Sequence, residues 1–422
     1  MERSWLDAIT GAKIAIVFVL TSFRRTIMAI VGLRGTGEFT NDFRPTNYRQ
    51  LFTLLEPNGT APLQALLSMA SSESTDDPKF NHFRDELPDR VLKINNGAGY
   101  STSDTALVVD ASADEAFVVT GTILVNVRTG EVMRATANAN TGTHTVTVAR
   151  GVGNGGTGVA ILDNDDLVIA GFADKEGGNA PDPISFDPTT DYNFTQIFKT
   201  AVSVSGTLQN TYLRTGDKEQ EQLTKALKLH MGDIERAFFF GKRAEENGST
   251  AQPTRYTGGL TNMIPNVTDA ATAFATANKI TEKEFDRTLV EDIFAYGSQE
   301  KLAFCGAKVI ANMQEIGKNR WTPQQVSGSY GVSMTRYSTF AGDLLVHLHP
   351  MFRQVPGMES AMIILDMANL NYRYMQGRDT SLVRDVHNND FDGVKHQYLS
   401  ECGLEMLQGK PHWYIKNWQA VS

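Results

Sequence analysis

Few residues in this chain have the types and spacing that chemistry needs. Gly151, Gly153 and Gly156 match the G-x-G-x-x-G spacing and follow a strand-like run. A dinucleotide site also needs a helix to open at that point, so that its N-terminus faces the pyrophosphate. Here TGVAILDNDDLVIAG follows, a strand–turn–strand pattern, so the run reads as a glycine-rich hairpin turn. His347 and His349 alternate along one extended run, which directs both to one face and could start a metal site. Such a site needs three or four converging ligands, and no Cys or carboxylate cluster lies near in sequence, so the pair reads as structural. Asp163, Asp165 and Asp166 resemble a calcium loop without its glycine and distal glutamate, and read as a solvated turn. Cys305 has no flanking His or basic residue to activate it and reads as a small buried hydrophobe. Cys305 and Cys402 are the whole cysteine complement, which excludes a disulfide framework and suits a reducing compartment. No nucleophile–base pair is visible. The expectation is a protein without catalytic, cofactor or metal residues.

The elements that would position any site begin with Asp217–Arg243, DKEQEQLTKALKLHMGDIERAFFFGKR. Leu223, Leu227, Met231, Ile234 and Phe238 recur at steps of three and four and so line one face of a helix. Asp217 is the predicted N-cap, with Gln220 three positions on. If fully buried, five such side chains contribute roughly 8–15 kcal/mol gross, most of it offset by entropy. Before this helix, residues 28–92 are broken by Gly and Pro. Leu51–Leu55 and Leu63–Met69 read as brief helices, SSESTDDP (71–78) as a polar loop, and Phe39, Phe43, Tyr48 and Phe52 as anchors. From Thr105 to Gly171 the period is two: LVVD, AFVVT, ILVNVRTGEVMRATA, HTVTVARG and VAILDNDDLVIAG read as strands of a small antiparallel barrel or sandwich. Its predicted hairpin turns are Thr129-Gly130 and Asn154-Gly155. Residues 177–188 read as an extended return without regular structure, and 194–204 as a strand leading to the helix. After the helix come a second helix at 281–296, with Thr281 and Glu284 spaced as a capping box, a strand at 301–305 and a helix at 307–316. Strands return at 333–340, 342–350, 361–367, 397–407 and 412–418, the last two placed around a Gly409-Lys410 turn. Helices with a sheet of distant strands give an α+β pattern.

Length allows two or three domains with a sizeable core. The net charge of −9, with no Lys/Arg run, excludes a nucleic-acid grip as the main business. Ile14–Leu20 is the one strongly apolar run and is far below the ~20 residues that span a bilayer. It also makes a poor signal peptide, with Glu2 and Asp7 before it and Arg24-Arg25 after.

The order of parts resembles the major capsid protein of tailed bacteriophages. The run QIFKTAVSVSGTLQNTYLRTGDKEQEQLTKALKLHMGDIERAFFFGK, from Phe194 onward, is similar to the strand and spine helix of one subgroup of these head proteins. The resemblance implies an N-terminal arm at 1–92 and an extended loop at 93–204. It implies a spine helix with peripheral domain at 205–332, and an axial domain with a returning strand pair at 333–422. Residues 105–171 are too long and regular for a bare loop and read as an inserted β domain. The implied function is an icosahedral head of hexamers and pentamers of the chain itself. It would enclose double-stranded DNA without sequence-specific binding and meet portal, scaffold or accessory head proteins, with no membrane and no cofactor. Its place would be the virion capsid, after synthesis in the host bacterial cytoplasm. Some relatives crosslink through a Lys–Asn isopeptide bond, for which no motif is evident here. Leu223, Leu227, Met231, Ile234 and Phe238 are then the structural residues of the spine. Met1–Ile27 differs in character from the stretch that follows and is expected to be absent from the mature particle. The alternatives are a nanocompartment shell of the same fold, a β-rich tail or receptor-binding protein, and an enzyme using the 151–156 loop.

Overall fold

The computed structural model describes residues 62–63, 67, 72–178, 180, 182–185, 187–211, 217–249, 252–317, 324–326 and 334–421. Met1–Ile27, Leu51–Leu55 and the expected anchors Phe39, Phe43, Tyr48 and Phe52 lie outside them. Within the stretch read as a brief helix at Leu63–Met69, residues 62, 63 and 67 are helical, and Leu63 and Leu67 are fully buried.

The first strands are β1 (Ser72–Thr75), β2 (Lys79–Arg84), β3 (Val91–Lys93), β4 (Ala106–Val108), β5 (Thr122–Asn126), β6 (Val132–Ala135), β7 (Thr145–Ala149), β8 (Asp166–Phe172), β9 (Thr189–Phe194) and β10 (Gln196–Ser205). The first half of the polar run SSESTDDP is therefore strand, with only Asp76–Pro78 left as a bend: β1 pairs in parallel with a strand some three hundred residues later, Ser72 opposite Tyr372. No local pattern announces it, because its partner supplies the order.

Strands β3 to β8 form one sheet in the order β3-β8-β5-β6-β7-β4. The outer strands meet through the Ile94–Val109 bridge, with Asn95 N–H donating to Val108 O (3.0 Å) and Asp110 N–H to Lys93 O (2.8 Å). The sheet thus closes into a small barrel around its own core, which includes Leu92, Leu107, Leu124, Met133, Val146, Val148 and Leu167. Alternating burial along β5 (Thr122–Asn126) is what period-two sequence predicts. Two readings need correction. AFVVT opens in a 3-10 turn at Ala113–Phe117, capped by Ser112 with Glu115, rather than as a strand. Asn154-Gly155 is no hairpin, because β7 pairs with β6 and β4, not with β8. Thr129-Gly130 does turn β5 into β6, with Gly130 at φ 71°.

Among the described residues, strands β2 and β9 pair only with each other, from Lys79–Phe194 to Arg84–Thr189, as a two-stranded ribbon. The long helix follows β10 and spans Lys218–Phe240, with Asp217 Oδ1 accepting from Glu219 N–H at 2.9 Å. It ends at Gly241, where a Cβ would lie 2.4 Å from Thr257 O and 2.5 Å from Ala237 O, so only glycine fits. The remaining strands are β11 (Ala244–Glu246), β12 (Thr254–Tyr256), β13 (Val267–Asp269), β14 (Glu300–Cys305), β15 (Gln324–Val326), β16 (Met334–Ser338), β17 (Asp343–Leu348), β18 (Met362–Leu365), β19 (Leu370–Met375), β20 (Ser381–Val383), β21 (Gly393–Met406) and β22 (Trp413–Lys416). Helices occupy Glu282–Glu291 and Ala307–Gly317; the first is shorter than expected and continues as a 3-10 turn, Ile293–Ala295. Its Thr281–Glu284 capping box is formed.

Two sheets share the long helix and its surroundings. One runs β1-β19-β21-β10, with β20 also on β21; the other runs β13-β22-β18-β14-β17-β16-β15. β21 and β22, expected as a returning pair, therefore belong to different sheets. The turn between them carries the chain from one layer to the other. Along β14, Leu302 and Phe304 face the cluster shared with the long helix, while Ala303 and Cys305 face the helices Glu282–Glu291 and Ala307–Gly317. β18 does the same with Ile363 and Leu365 against Met362 and Ile364. A strand buried on both faces reads as an unbroken apolar run, as MIIL does.

Lys301, 1% exposed, is held by three carbonyls: its Nζ donates to Ile293 O (2.6 Å), Pro411 O (2.7 Å) and Tyr296 O (2.8 Å). Burial lowers its pKa to about 8 against the pull of Asp366. Next to it, His412 is fully buried and accepts the Asp366 N–H at Nδ1 (3.2 Å). Burial, with Lys301 adding to it, lowers the His412 pKa to about 4. The unfolded chain therefore binds a proton between pH ~6.5 and ~4 that the folded chain refuses, so stability falls by about 3 kcal/mol as pH drops through that window. His412→Asn, whose Oδ1 can replace Nδ1 as acceptor, should remove this term. Unfolding midpoints over the same pH series should show the variant keeping what the parent loses. Parallel curves would refute the assignment.

Candidate functional site

The helix–sheet junction positions the residues singled out for the spine, and divides them. Leu223 packs with Ala226 and Tyr398, with Leu227 half-buried against them. Ile234 and Phe238 are fully buried in the main cluster with Phe198, Phe304, Phe352 and Leu404. Met231 is half-buried.

The same buried face carries two polar residues that the apolar stripe passed over. Glu235 and His349 are both fully buried, and Glu235 Oε1 accepts from His349 Nε2 (2.9 Å) and Leu63 N–H (2.9 Å). His349 Nδ1 accepts the Met351 N–H, which assigns the proton to Nε2. The carboxylate thus joins the helix, the segment after β17 and the chain at Leu63. His230 bridges β10 and β21: Nδ1 lies 3.0 Å from Thr200 Oγ1 and Nε2 2.7 Å from Ser400 Oγ, and burial lowers its pKa. Their spacing was a usable signal. His230 is seven residues after Leu223 and Glu235 four after Met231, both on core-facing rows of the helix.

The other chemical candidates resolve into structural roles. His347 is half-buried with its ring edge-on to Phe304 at 5.9 Å, whereas His349 serves Glu235, so the two do not converge. Among the described residues, no group of three metal-ligating side chains occurs. The 151–156 loop wraps a carboxylate belonging to the chain itself. Glu131 accepts from Arg150 Nε (2.8 Å) and Nη2 (2.7 Å), Gly151 N–H (3.1 Å) and Val159 N–H (3.0 Å). Burial pushes its pKa up, but these bonds outweigh it and hold it low. A Cβ on Gly151 would fall 2.3 Å from Thr157 O, so the glycine serves a tight loop, not a phosphate. Asp165 departs from the solvated-turn reading: it is 6% exposed and bonded by Arg128 Nε (2.7 Å), Asn126 Nδ2 (3.0 Å) and Leu162 N–H (2.9 Å). The Arg128 bond leads in holding its carboxyl well below the usual range. Cys305 and Cys402 are free and buried on opposite sides of the seven-stranded sheet. Burial pushes both thiols up, Cys402 to about 12, so neither is a nucleophile.

What the surface offers is contact area. Phe83 is 76% and Leu87 87% exposed at the ribbon, and Phe340 is fully exposed in the turn between β16 and β17. Grooves of about 360 and 560 Å³ flank Phe117 and Ile184 beside the barrel, and neither is lined by His or Cys. Among the described residues, no helix is long and apolar enough to cross a membrane.

Residues 34–419 match the family described as SU10 major capsid protein. The major capsid protein of Pseudomonas phage PaMx41 is 26% identical over 336 residues, covering 77% of this chain and 78% of that one. Among solved structures, the capsid of a native GTA particle has a TM-score of 0.42 at 9% identity, covering 90% of this chain and 95% of that one. The capsid of Myoviridae phage XM1 has 0.37 at 11%, covering 58% and 80%. The encapsulin complex from Synechococcus elongatus has 0.40 at 15%, covering 56% and 78%. The family match runs from ahead of the first described residue to within a few residues of the end, and on it the chain belongs to the SU10 major capsid protein family.

Proposed function

We propose that the chain assembles into hexamers and pentamers of a phage head that encloses double-stranded DNA, with no catalytic activity of its own. Portal, scaffold or accessory head proteins are its further partners, and the host cytoplasm is its place of synthesis. In this reading Leu223, Leu227, Met231, Ile234 and Phe238 keep the spine helix seated, and the barrel and its ribbon form a contact module between neighbouring subunits. The observation that carries it is the ribbon. A two-stranded sheet is marginal alone, and this one exposes Phe83 and Leu87 while bearing a barrel with a separate core. Apolar side chains so exposed find burial against another copy. The acidic balance suits a wall that holds DNA without gripping it.

The barrel's entry and exit are adjacent, since Ile169 N–H donates to Arg90 O at 2.9 Å. A clean excision therefore spans Val91–Phe172, wider than residues 105–171, because β3 and β8 are both barrel strands. With a short Gly-Ser linker in its place, the helix-centred core should keep its circular dichroism and soluble yield. Shells should fail to form, or melt at lower temperature. Unchanged assembly and melting would remove the contact role, and loss of the whole fold would make the barrel integral to the core.

A further inference from the structure

His82 stands on β2 where the ribbon leaves the five-stranded sheet. Its side chain is 10% exposed, yet neither ring nitrogen has a hydrogen-bond partner. Buried polar groups are ordinarily paired, so an imidazole with two idle nitrogens needs a reason. Nδ1 lies 3.9 Å from Glu405 Oε1, too far for a hydrogen bond and close enough for an ion pair once the ring is charged.

The charged groups around it come from every element packed there. Glu405 on β21 is fully buried and accepts from Arg373 Nε (2.8 Å) and Asn371 Nδ2 (3.1 Å) on β19. Arg373 is shared with Glu73 on β1. Asp191, directly opposite His82 in the ribbon, is bound by Arg243 at 2.8 Å, beyond the end of the long helix. Lys79 and Arg243 lie over the Tyr192 ring, at 4.2 and 4.1 Å from its centre. Two carboxylates therefore face His82, each matched by one arginine. Farther along, the ribbon meets the core through Lys410–Glu86 (2.8 Å) and Gln408 Nε2–Asp85 O (3.2 Å), both open to solvent. Exposed pairs of that kind hold weakly.

We propose that His82 is a proton-operated latch between the ribbon and the five-stranded sheet. As it stands, the ring bonds to neither side. Protonated, it carries an N–H donor on both nitrogens, one more than when neutral, and a charge opposed to Glu405 and Asp191. The latch closes as pH falls, the reverse of the acid loss expected from His412, and it acts on the ribbon rather than the seven-stranded sheet.

Hydrogen exchange on the full-length purified subunit tests it. Amides of 79–84 and 189–194 are followed at about pH 5 and about pH 7.5, on either side of the histidine range, with rates normalised to intrinsic exchange. The parent should gain roughly two- to fivefold protection in these segments at the lower pH, the span of a weak ion pair. His82→Gln, which cannot charge, should lose that gain, and so should Glu405→Gln, which removes the partner charge. His144→Gln, a half-exposed barrel histidine paired with Glu115, should keep it. A flat parent profile overturns the latch without any variant. An undiminished gain in His82→Gln or Glu405→Gln overturns it as well, even if the other variant does not fold. Shell assembly is not part of the readout, so the latch and the assembly proposal fail separately.

Discussion

Ile234→Asp will leave little soluble subunit. Ile234 is fully buried on the long helix in the cluster that joins both sheets. A carboxylate placed there would sit among the buried apolar side chains of that cluster, where it either stays charged at a desolvation cost or titrates to neutrality. Either route costs several kcal/mol, a large share of the ~5–15 kcal/mol that holds a native domain. Lost apolar burial adds about 2 kcal/mol. The expected outcome is aggregated protein, not intact shells with altered contents. Ile234→Val, which removes one methylene, should cost about 1 kcal/mol and assemble normally. Soluble yield and thermal midpoint of the two variants side by side decide it. Normal yield of the aspartate variant would mean that this face is not the core.

Glu235→Ala is expected to be nearly as damaging by a different route. The carboxylate is the acceptor for both His349 Nε2 and the Leu63 N–H, and all three groups are buried. Truncation orphans two donors at once and opens a cavity, at about 3–5 kcal/mol, the range for removing one partner of a buried pair. Glu235→Gln keeps an acceptor oxygen in place and should recover more than half of that loss. Proteolysis adds an independent reading: cleavage near Leu63 should accelerate in the alanine variant, since a tie on that segment is gone. Equal stability of the alanine and glutamine variants would show that the bond to the segment contributes nothing.

The chain belongs to a phage major capsid protein family, and its own fold is α+β. That membership sets aside the tail-protein and nanocompartment readings. It also accounts for the fate of the candidate chemistry. Glu131, Asp165, Glu235 and Lys301 each hold a piece of backbone or another side chain in place.

Features that are local in energy were legible in the amino-acid sequence. The helix at Lys218–Phe240, its Asp217 cap, the Thr281–Glu284 capping box and the hairpin at Thr129-Gly130 depend on residues three to five apart, so periodicity and turn chemistry reveal them. The capsid resemblance of the Phe194–Lys242 run was legible for the same reason: its strand and helix keep a continuous pattern. Strand partners, in contrast, follow from packing between distant segments. β1 is polar and short and exists because β19 lies beside it, and β21 and β22 part company because two different sheets offer them edges. The barrel's closure rests on the bridge between Ile94 and Val109, which no hairpin rule supplies. The buried polar contacts were hidden for a related reason. Glu235 meets His349 over a separation of 114 residues, and Glu131 meets Arg150 from a neighbouring strand. In sequence each is one polar letter in an apolar pattern. Its partner, and hence whether burial stabilises or penalises it, is fixed only when distant strands pack.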